Sequence, residues 1–173
     1  IAHSIDTHTF VSRYLQNSAI VLSQPSLPEF NGFNHSLTPI EYNPDKSSKL
    51  LREAGYLNGF NLTIDCIQNK YPMDYELGEF IKNSLKNIGI TAEICYNNSE
   101  SFYNKLSESN SSAYITGFRN PGDYSFFSIF GLYHHDENKG LLNRFGNVDN
   151  ELKMLFDNHI DLEIDPELNE EAV

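Results

Sequence analysis

The chain has 173 residues, of which 39% are hydrophobic and 13% aromatic, a composition typical of a folded globular protein. Its formal net charge of −12 argues against nucleic acid or an anionic membrane surface as a partner. A chain of this length has room for one domain with a buried core, so we expect residues 1–173 to form a single domain. No apolar run in the sequence is long enough to cross a bilayer.

The first elements in chain order are a short helix and a long loop. Asp6 is a favourable cap for the helix. Its expected inner face comprises Phe10, Val11, Tyr14 and Leu15. Residues 20–42 are rich in Pro, Ser and Asn and are expected to form an extended surface loop. Residues 1–5 are typical of the end of a helix, and residues 166–173 of the start of one, so we expect the sequence to be a fragment of a longer protein.

The next predicted helix begins at Pro44. Asn43 is a favourable N-cap, and proline suits the first helical position. Gly55 is well placed to end the helix in a left-handed conformation. The expected inner stripe of this helix comprises Leu50, Leu51 and Ala54.

A strand, a helix and a second strand are predicted to follow. Residues 60–67 alternate apolar and polar side chains, which is typical of a strand with one buried face. A helix over residues 74–87 is closed by Gly89, and residues 90–96 alternate again. The inner face of this helix is expected to contain Leu77, Phe80, Ile81, Leu85 and Ile88. Two strands joined by such a helix must be parallel, with a right-handed crossover, so the sequence predicts a βαβ core.

Three further elements are predicted after Tyr96. Ser99 is expected to cap a short helix that contains Phe102, Tyr103 and Leu106. Residues 113–118 are expected to form a third strand. Helices are predicted over residues 125–132 and 148–160, with a polar loop over residues 133–144 between them.

Five segments of the chain resemble one family. Residues 43–56 (Asn-Pro-Asp-Lys-Ser-Ser-Lys-Leu-Leu-Arg-Glu-Ala-Gly-Tyr) resemble the segment DP-x-KA-x-x-LL-x-EAGY of the extracellular solute-binding proteins for oligopeptides and dipeptides. Residues 2–6 resemble the family's A-x-x-AID, and residues 81–90 resemble its iq-x-x-L-x-x-iGI. Residues 116–118 stand where the family has strand-Gly-Trp, and residues 143–149 resemble n-x-x-Y-x-N-x-x-D. The order and spacing of these segments span most of the chain.

The resemblance implies an α/β fold: an incomplete C-terminal lobe of a two-lobed periplasmic-binding-protein-like structure, with a mixed sheet around a parallel βαβ core flanked by helices. It also implies the substrate-binding component of an ABC-type importer, which binds a peptide or a similar small solute between two lobes. The implied partners are the solute, the missing N-terminal lobe and the membrane permease. The implied location is the periplasm or the surface of a bacterial cell, with a lipid anchor. The resemblance implies neither a cofactor nor an enzymatic activity.

The turn after the third predicted strand is the main candidate site, because open α/β sheets bind ligands at the carboxyl ends of their strands. In the family, an Asp in this turn pairs with the α-ammonium group of a peptide, which is a charge-assisted hydrogen bond. Here Phe118 replaces the family's Trp, Asn120-Pro121 replaces its first Asp, and Asp123 is the nearest carboxylate. The expected ligand-binding residues are Gly117, Phe118, Arg119, Asn120, Asp123 and Tyr124. The alternative is a surface turn that binds no ligand.

Two other groups of residues are candidates for chemistry. His134-His135-Asp136-Glu137 match no established metal-ligand spacing, so a solvated loop is favoured over a metal site. Cys66 and Cys95 are expected on neighbouring strands with side chains on opposite faces, which favours two buried thiols over a disulfide. No nucleophile elbow or phosphate-binding loop is present. The alternative functions are a small hydrolase-like α/β enzyme that uses Asp123 with His134-His135, and a sensor or chaperone domain derived from a binding-protein lobe.

Overall fold

The computed structural model describes residues 1–108, 110–117, 151 and 154. After a single 3-10 turn at Ala2–Ser4, the elements are α1 (Thr7–Tyr14), α2 (Pro44–Glu53), β1 (Asn61–Ile67), α3 (Asp74–Lys86), β2 (Thr91–Asn97), α4 (Ser99–Ser107) and β3 (Ala113–Ile115). The predicted order of helices and strands between residues 43 and 115 is therefore confirmed. The helices predicted over residues 125–132 and 148–160 lie outside the described residues, except that Glu151 and Met154 are helical.

The three strands form a parallel sheet in the order β2-β1-β3. β1 is the central strand and pairs with β2 along its whole length, from Asn61↔Thr91 to Ile67↔Asn97. It pairs with β3 over a shorter stretch, from Ile64↔Ala113 to Cys66↔Ile115. The parallel βαβ core that the sequence predicts is thus confirmed.

The ends of α2 follow the local signals in the sequence. The Asn43 side chain accepts a hydrogen bond of 2.9 Å from the backbone N–H of Lys46, and Gly55 has a φ of 86°. The predicted inner stripe of α2 is only partly right. Leu50 is 47% exposed and Ala54 is also exposed, whereas Leu51 packs against the core. Ser47, one helical turn before Leu51, is the buried residue of this helix, because residues four apart lie on one face.

Asp6 caps α1, as predicted, by accepting a hydrogen bond of 3.0 Å from the backbone N–H of Thr9. Phe10 is the buried residue of this helix. Its ring packs against those of Tyr14 and Phe80, with centroid distances of 5.0 Å and 5.4 Å, so that α1 lies against α3. Residues 20–42 form no helix, as predicted for a surface loop.

The two faces of the sheet are covered by different helices. On one face, α3 packs over the main core, which consists of Ile64, Cys66, Leu85, Ile88, Ile90 and Ala92. On the other face, α4 forms a smaller cluster of Ile67, Phe102 and Leu106 with Tyr114. The chain steps from β1 to β2 through α3 and then back across β1 to β3 through α4. Right-handed crossovers in opposite directions place their helices on opposite faces of a sheet.

Two sequence predictions in this region are wrong. β1 does not have one buried face, because its last four residues, 64–67, are all buried. It is the central strand and is covered on both sides, so even Asp65 is only 2% exposed. The cap of α4 is Asn98 and not Ser99. Asn98 has extended backbone angles and its side chain accepts a 2.8 Å hydrogen bond from the N–H of Ser101, as an N-cap requires.

Candidate functional site

The carboxyl edge of the sheet brings together the ends of β1 and β3. β1 ends at Ile67 and continues into the loop 68–73, whereas β3 ends at Ile115 and continues to Gly117. These strands are adjacent in the sheet, although α3, β2 and α4 separate them in sequence. In open α/β sheets with the strand order 2-1-3, this boundary between the first and third strands is where the direction of winding reverses and where ligands bind. The edge is therefore our candidate ligand-binding site.

The loop 68–73 has a defined backbone conformation. Asn69 and Met73 have φ values of 54° and 59°, in the left-handed region that few residue types adopt readily. Asp74, the first residue of α3, fixes the loop between them. Its Oδ2 atom accepts hydrogen bonds from the backbone N–H groups of Lys70, at 2.9 Å, and Tyr71, at 3.5 Å. The result is a tight turn that holds Tyr71 at the edge of the sheet.

Tyr71 covers Gly117 across this edge. The backbone N–H of Gly117 donates a hydrogen bond of 2.8 Å to the Tyr71 hydroxyl oxygen. The ring lies so close that a Cβ atom added to Gly117 would be 2.7 Å from Cε1 of Tyr71. Glycine is therefore the residue that fits under this ring. The sequence singled out Gly117 but not Tyr71, because 46 positions separate them and no local pattern predicts the contact.

Of the six predicted ligand-binding residues, Gly117 is the one that the structure describes, and it is exposed at the carboxyl edge. Phe118, Arg119, Asn120, Asp123 and Tyr124 lie outside the described residues, as do His134-His135-Asp136-Glu137. Within residues 1–108 and 110–117, no three His, Cys, Asp or Glu side chains are grouped so that they would hold a metal ion.

A second polar feature, which the sequence reasoning missed, surrounds Asp65 in the middle of the sheet. Its Oδ1 atom accepts hydrogen bonds from Lys105 Nζ, at 2.6 Å, and from Asn97 Nδ2, at 2.9 Å. Its Oδ2 atom accepts a hydrogen bond of 2.7 Å from the Ser111 hydroxyl. One carboxylate thereby ties β1 to the end of β2, to α4 and to the segment that leads into β3.

Opposing effects set the pKa of Asp65. Burial raises the pKa of the carboxyl, but the hydrogen bonds from Lys105, Ser111 and Asn97 together outweigh it and hold the pKa below 3.8. The hydrogen bond between Lys105 and Asp65 also raises the pKa of Lys105 above its usual value. Both oxygens of Asp65 are already occupied by protein donors, so the group is suited to holding the fold together rather than to binding a ligand. No sequence signal marks it, since a polar residue at an alternate strand position is typical of an exposed face.

The two thiols are unpaired, as predicted. Asp65, not Cys66, stands opposite Cys95 in the register, so the two cysteine side chains lie on opposite faces. Cys66 is buried, whereas Cys95 is only partly buried. Burial raises the pKa of the Cys66 thiol to about 11, so this thiol stays protonated at neutral pH and is a poor nucleophile.

A groove of about 460 Å³ lies between α1 and α3. Aromatic side chains from three segments line it, namely Tyr14, Tyr42, Tyr75 and Phe80. Charged groups also line it, and they include Arg13, Glu76 and Glu79. The groove is open to solvent, and none of its lining residues belongs to β1, to β3 or to the loop 68–73.

The family of the chain follows from a sequence comparison. The sequence model of one family, described as bacterial extracellular solute-binding proteins, family 5 Middle, matches residues 1–139. This match covers well over half of the chain. The chain therefore belongs to this family of extracellular solute-binding proteins, and the resemblance seen in its segments is confirmed. A comparison with curated protein sequences gave no significant match.

Solved structures show the same fold. HbpA2 from Haemophilus parasuis superposes with a TM-score of 0.82 at 24% identity, over 91% of this chain and 31% of that protein. A dipeptide-binding protein from Pseudoalteromonas sp. SM9913, in complex with Met-Leu, gives a TM-score of 0.79 at 19% identity, over 95% of this chain and 33% of that protein. The periplasmic binding protein DppA from Helicobacter pylori, in complex with the peptide STSA, gives a TM-score of 0.70 at 24% identity, over 76% of this chain and 25% of that protein.

The chain thus spans between a quarter and a third of the length of these three proteins. At these identities the likeness establishes the fold, which is part of a periplasmic-binding-protein structure, as the sequence predicted. In the part of the chain that the structure describes, no helix combines the length and the apolar character that a membrane span needs.

Proposed function

We propose that this chain is part of the C-terminal lobe of a longer, two-lobed solute-binding protein that serves as the receptor of an ABC-type importer. The observation that carries this proposal is the family match over residues 1–139. The parallel sheet and its likeness to proteins solved with STSA and Met-Leu support it. Such receptors close two lobes around a ligand by a hinge motion.

The proposed ligand is a peptide or a similar small solute, held at the carboxyl edge of the sheet. Gly117 lies at the junction of β1 and β3, where the winding of the sheet reverses, and this position supports a ligand edge over residues 117–124. In this proposal Asp123 anchors a cationic group of the ligand through a charge-assisted hydrogen bond. Phe118 and Tyr124 supply apolar walls, and Arg119 and Asn120 complete the edge.

The remaining partners follow from the same proposal. The N-terminal lobe supplies the opposite wall of the cleft, and the membrane permease receives the ligand. Because the family is extracellular, the proposed place of action is the periplasm or the cell surface, with a lipid anchor.

A binding role is favoured over a hydrolase-like one. The family consists of binding proteins. Among the described residues, the buried carboxylate and the buried thiol are unsuited to catalysis, because both oxygens of Asp65 accept hydrogen bonds from protein groups and burial keeps Cys66 protonated.

Titration calorimetry on the full-length protein tests the proposal. Wild type is titrated with a panel of short peptides that have free amino termini, including Met-Leu and STSA. A hydrogen bond to a charged group contributes about 1.5 to 3 kcal/mol, so Asp123→Asn is expected to weaken peptide binding about ten- to a hundredfold. Asp45→Asn, at an exposed position in the first turn of α2, is the matched control and should leave affinity unchanged.

The outcomes separate the function from the anchor. Binding by wild type with unchanged affinity in Asp123→Asn would reject Asp123 as the anchor. A gain in affinity would indicate an anionic or neutral ligand. If wild type binds no peptide or other small solute, the proposed function itself is wrong.

A further inference from the structure

The contact between Tyr71 and Gly117 lies at the proposed ligand edge and has no role in the core of the domain. Neither residue belongs to the two buried apolar clusters. Gly117 is exposed and Tyr71 is only partly buried. The contact nevertheless joins the loop after β1 to the end of β3, two segments that the sheet pairing itself does not connect beyond Cys66↔Ile115.

Both sides of this contact are specifically shaped. On one side, the left-handed residues Asn69 and Met73 and the hydrogen bonds to Asp74 hold Tyr71 in a tight turn. On the other side, the missing Cβ of Gly117 lets the ring approach, and the hydroxyl accepts the N–H of Gly117 at 2.8 Å. The phenol oxygen thereby occupies the backbone donor at the point where the chain leaves β3.

We propose that Tyr71 is a positioning residue of the ligand-binding edge: its hydroxyl fixes the backbone of Gly117 and so sets where Gly117 meets the ligand. This inference rests on the proposed function, since it presumes that the edge starting at Gly117 binds the solute. It assigns a binding role to the loop 68–73, which carries none of the ligand-binding residues that the sequence predicts.

Tyr71→Phe in the full-length protein removes the hydroxyl and keeps the ring. It removes the 2.8 Å hydrogen bond that the N–H of Gly117 donates to the hydroxyl and the longer bond of 3.5 Å that the hydroxyl donates to the Gly117 carbonyl oxygen. This loss is expected to weaken the binding of the best peptide of the calorimetric panel about two- to tenfold. The denaturation midpoint of the ligand-free protein should stay close to that of wild type, because the contact lies outside the core. Tyr56→Phe is the matched control. Tyr56 is 51% exposed and packs on Phe60, and its hydroxyl makes no hydrogen bond within the described residues. The peptide affinity of Tyr56→Phe should therefore equal that of wild type.

A double-mutant cycle tests whether Tyr71 acts through Gly117. Gly117→Ala places a Cβ against the Tyr71 ring and is expected to weaken peptide binding more than Tyr71→Phe does. In a Tyr71→Ala background the ring is gone, so the further loss caused by Gly117→Ala should be much smaller. Two residues that act as a unit give such non-additive effects, whereas independent positions add.

Each result supports or overturns the inference. Wild-type affinity in Tyr71→Phe, or an equal effect of Gly117→Ala in both backgrounds, would overturn it while leaving the proposed function intact. A lower affinity in Tyr71→Phe that is matched by a large fall in the denaturation midpoint would also overturn it, because the hydroxyl would then be structural. Failure of wild type to bind any peptide or other small solute would reject the proposed function, and the positioning role with it.

Discussion

The two faces of the central strand β1 are stabilised in different ways. On the α3 face, Ile64 and Cys66 join a core that is apolar throughout. On the α4 face, Ile67 packs with Phe102 and Leu106, but the neighbouring position on the same face is occupied by Asp65, buried and bonded to three donors. Side chains of one strand alternate between faces, so a single strand serves both environments.

The difference shows what each face requires. Apolar packing is non-directional, and its contribution follows the surface area removed from water. A buried carboxylate is unfavourable unless its oxygens accept hydrogen bonds, so its contribution depends on the positions of Lys105, Asn97 and Ser111. The stability of the α3 face should therefore depend on buried apolar volume and not on pH, whereas that of the α4 face should also respond to charge and pH. The following measurements test this contrast, from the largest expected effect to the smallest.

Truncation of a buried leucine on either face should have a large and similar effect. Leu85 on α3 is 1% exposed and Leu106 on α4 is 0% exposed. Because each substitution removes buried methyl groups and leaves a cavity, Leu85→Ala and Leu106→Ala should each lower the free energy of unfolding by about 2 to 5 kcal/mol. Chemical denaturation measures this. Leu57→Ala is the control, since Leu57 is 73% exposed and should change stability by less than about 0.5 kcal/mol. A small effect at Leu106 alone would mean that the apolar part of the α4 face contributes little.

Removing the charge of Asp65 should destabilise the protein at neutral pH. Asp65→Asn keeps the shape of the side chain but weakens the hydrogen bonds to the carboxylate, so the free energy of unfolding should fall by about 1.5 to 3 kcal/mol. Glu93→Gln, at an exposed position of β2, removes a charge from the same sheet and should have an effect below about 0.5 kcal/mol.

The difference in unfolding free energy between wild type and Asp65→Asn should also depend on pH. The pKa of Asp65 is lower in the folded than in the unfolded chain, so its ionised form contributes stability above pH 3.8, and this contribution is lost as the pH falls through the folded pKa. The difference in unfolding free energy between wild type and Asp65→Asn should therefore be constant near neutral pH and shrink below about pH 4. A difference that does not change with pH would contradict a lowered pKa of Asp65 in the folded chain, because stability that depends on the ionised carboxylate must be lost on protonation.

The smallest expected effect concerns the N-terminal cap of α4, the helix whose Lys105 binds Asp65. Asn98→Ala removes the side-chain oxygen that accepts the N–H of Ser101, and loss of such a cap lowers stability by about 0.5 to 2 kcal/mol. Ser99→Ala, one position later inside the helix, should change stability much less. Thermal denaturation of the two variants, compared side by side, checks the assignment, and a larger effect at Ser99 would contradict it.

The sequence alone determined the elements whose signals are local. Asn43, Pro44 and Gly55 specify both ends of α2, and Gly89, with a φ of 88°, marks the end of α3. These signals act within a few residues, through capping hydrogen bonds and backbone conformations that only some residues adopt. The parallel pairing of β1 and β2 was equally accessible, since a helix is the usual crossover between adjacent parallel strands. The motifs that revealed the family are also local in sequence.

The tertiary structure decided which side chains are buried and which loops meet. Asp65 belongs to a pattern that predicts an exposed face, and it is buried because β1 became the central strand with helices on both sides. Tyr71 and Gly117 are 46 positions apart and meet because β3 returns to the other side of β1. Strand order is set by the packing of the whole sheet and leaves no mark in a window of neighbouring residues. For that reason the sequence could single out Gly117 as a candidate ligand-binding residue, whereas its contact with Tyr71 became apparent only in the folded chain.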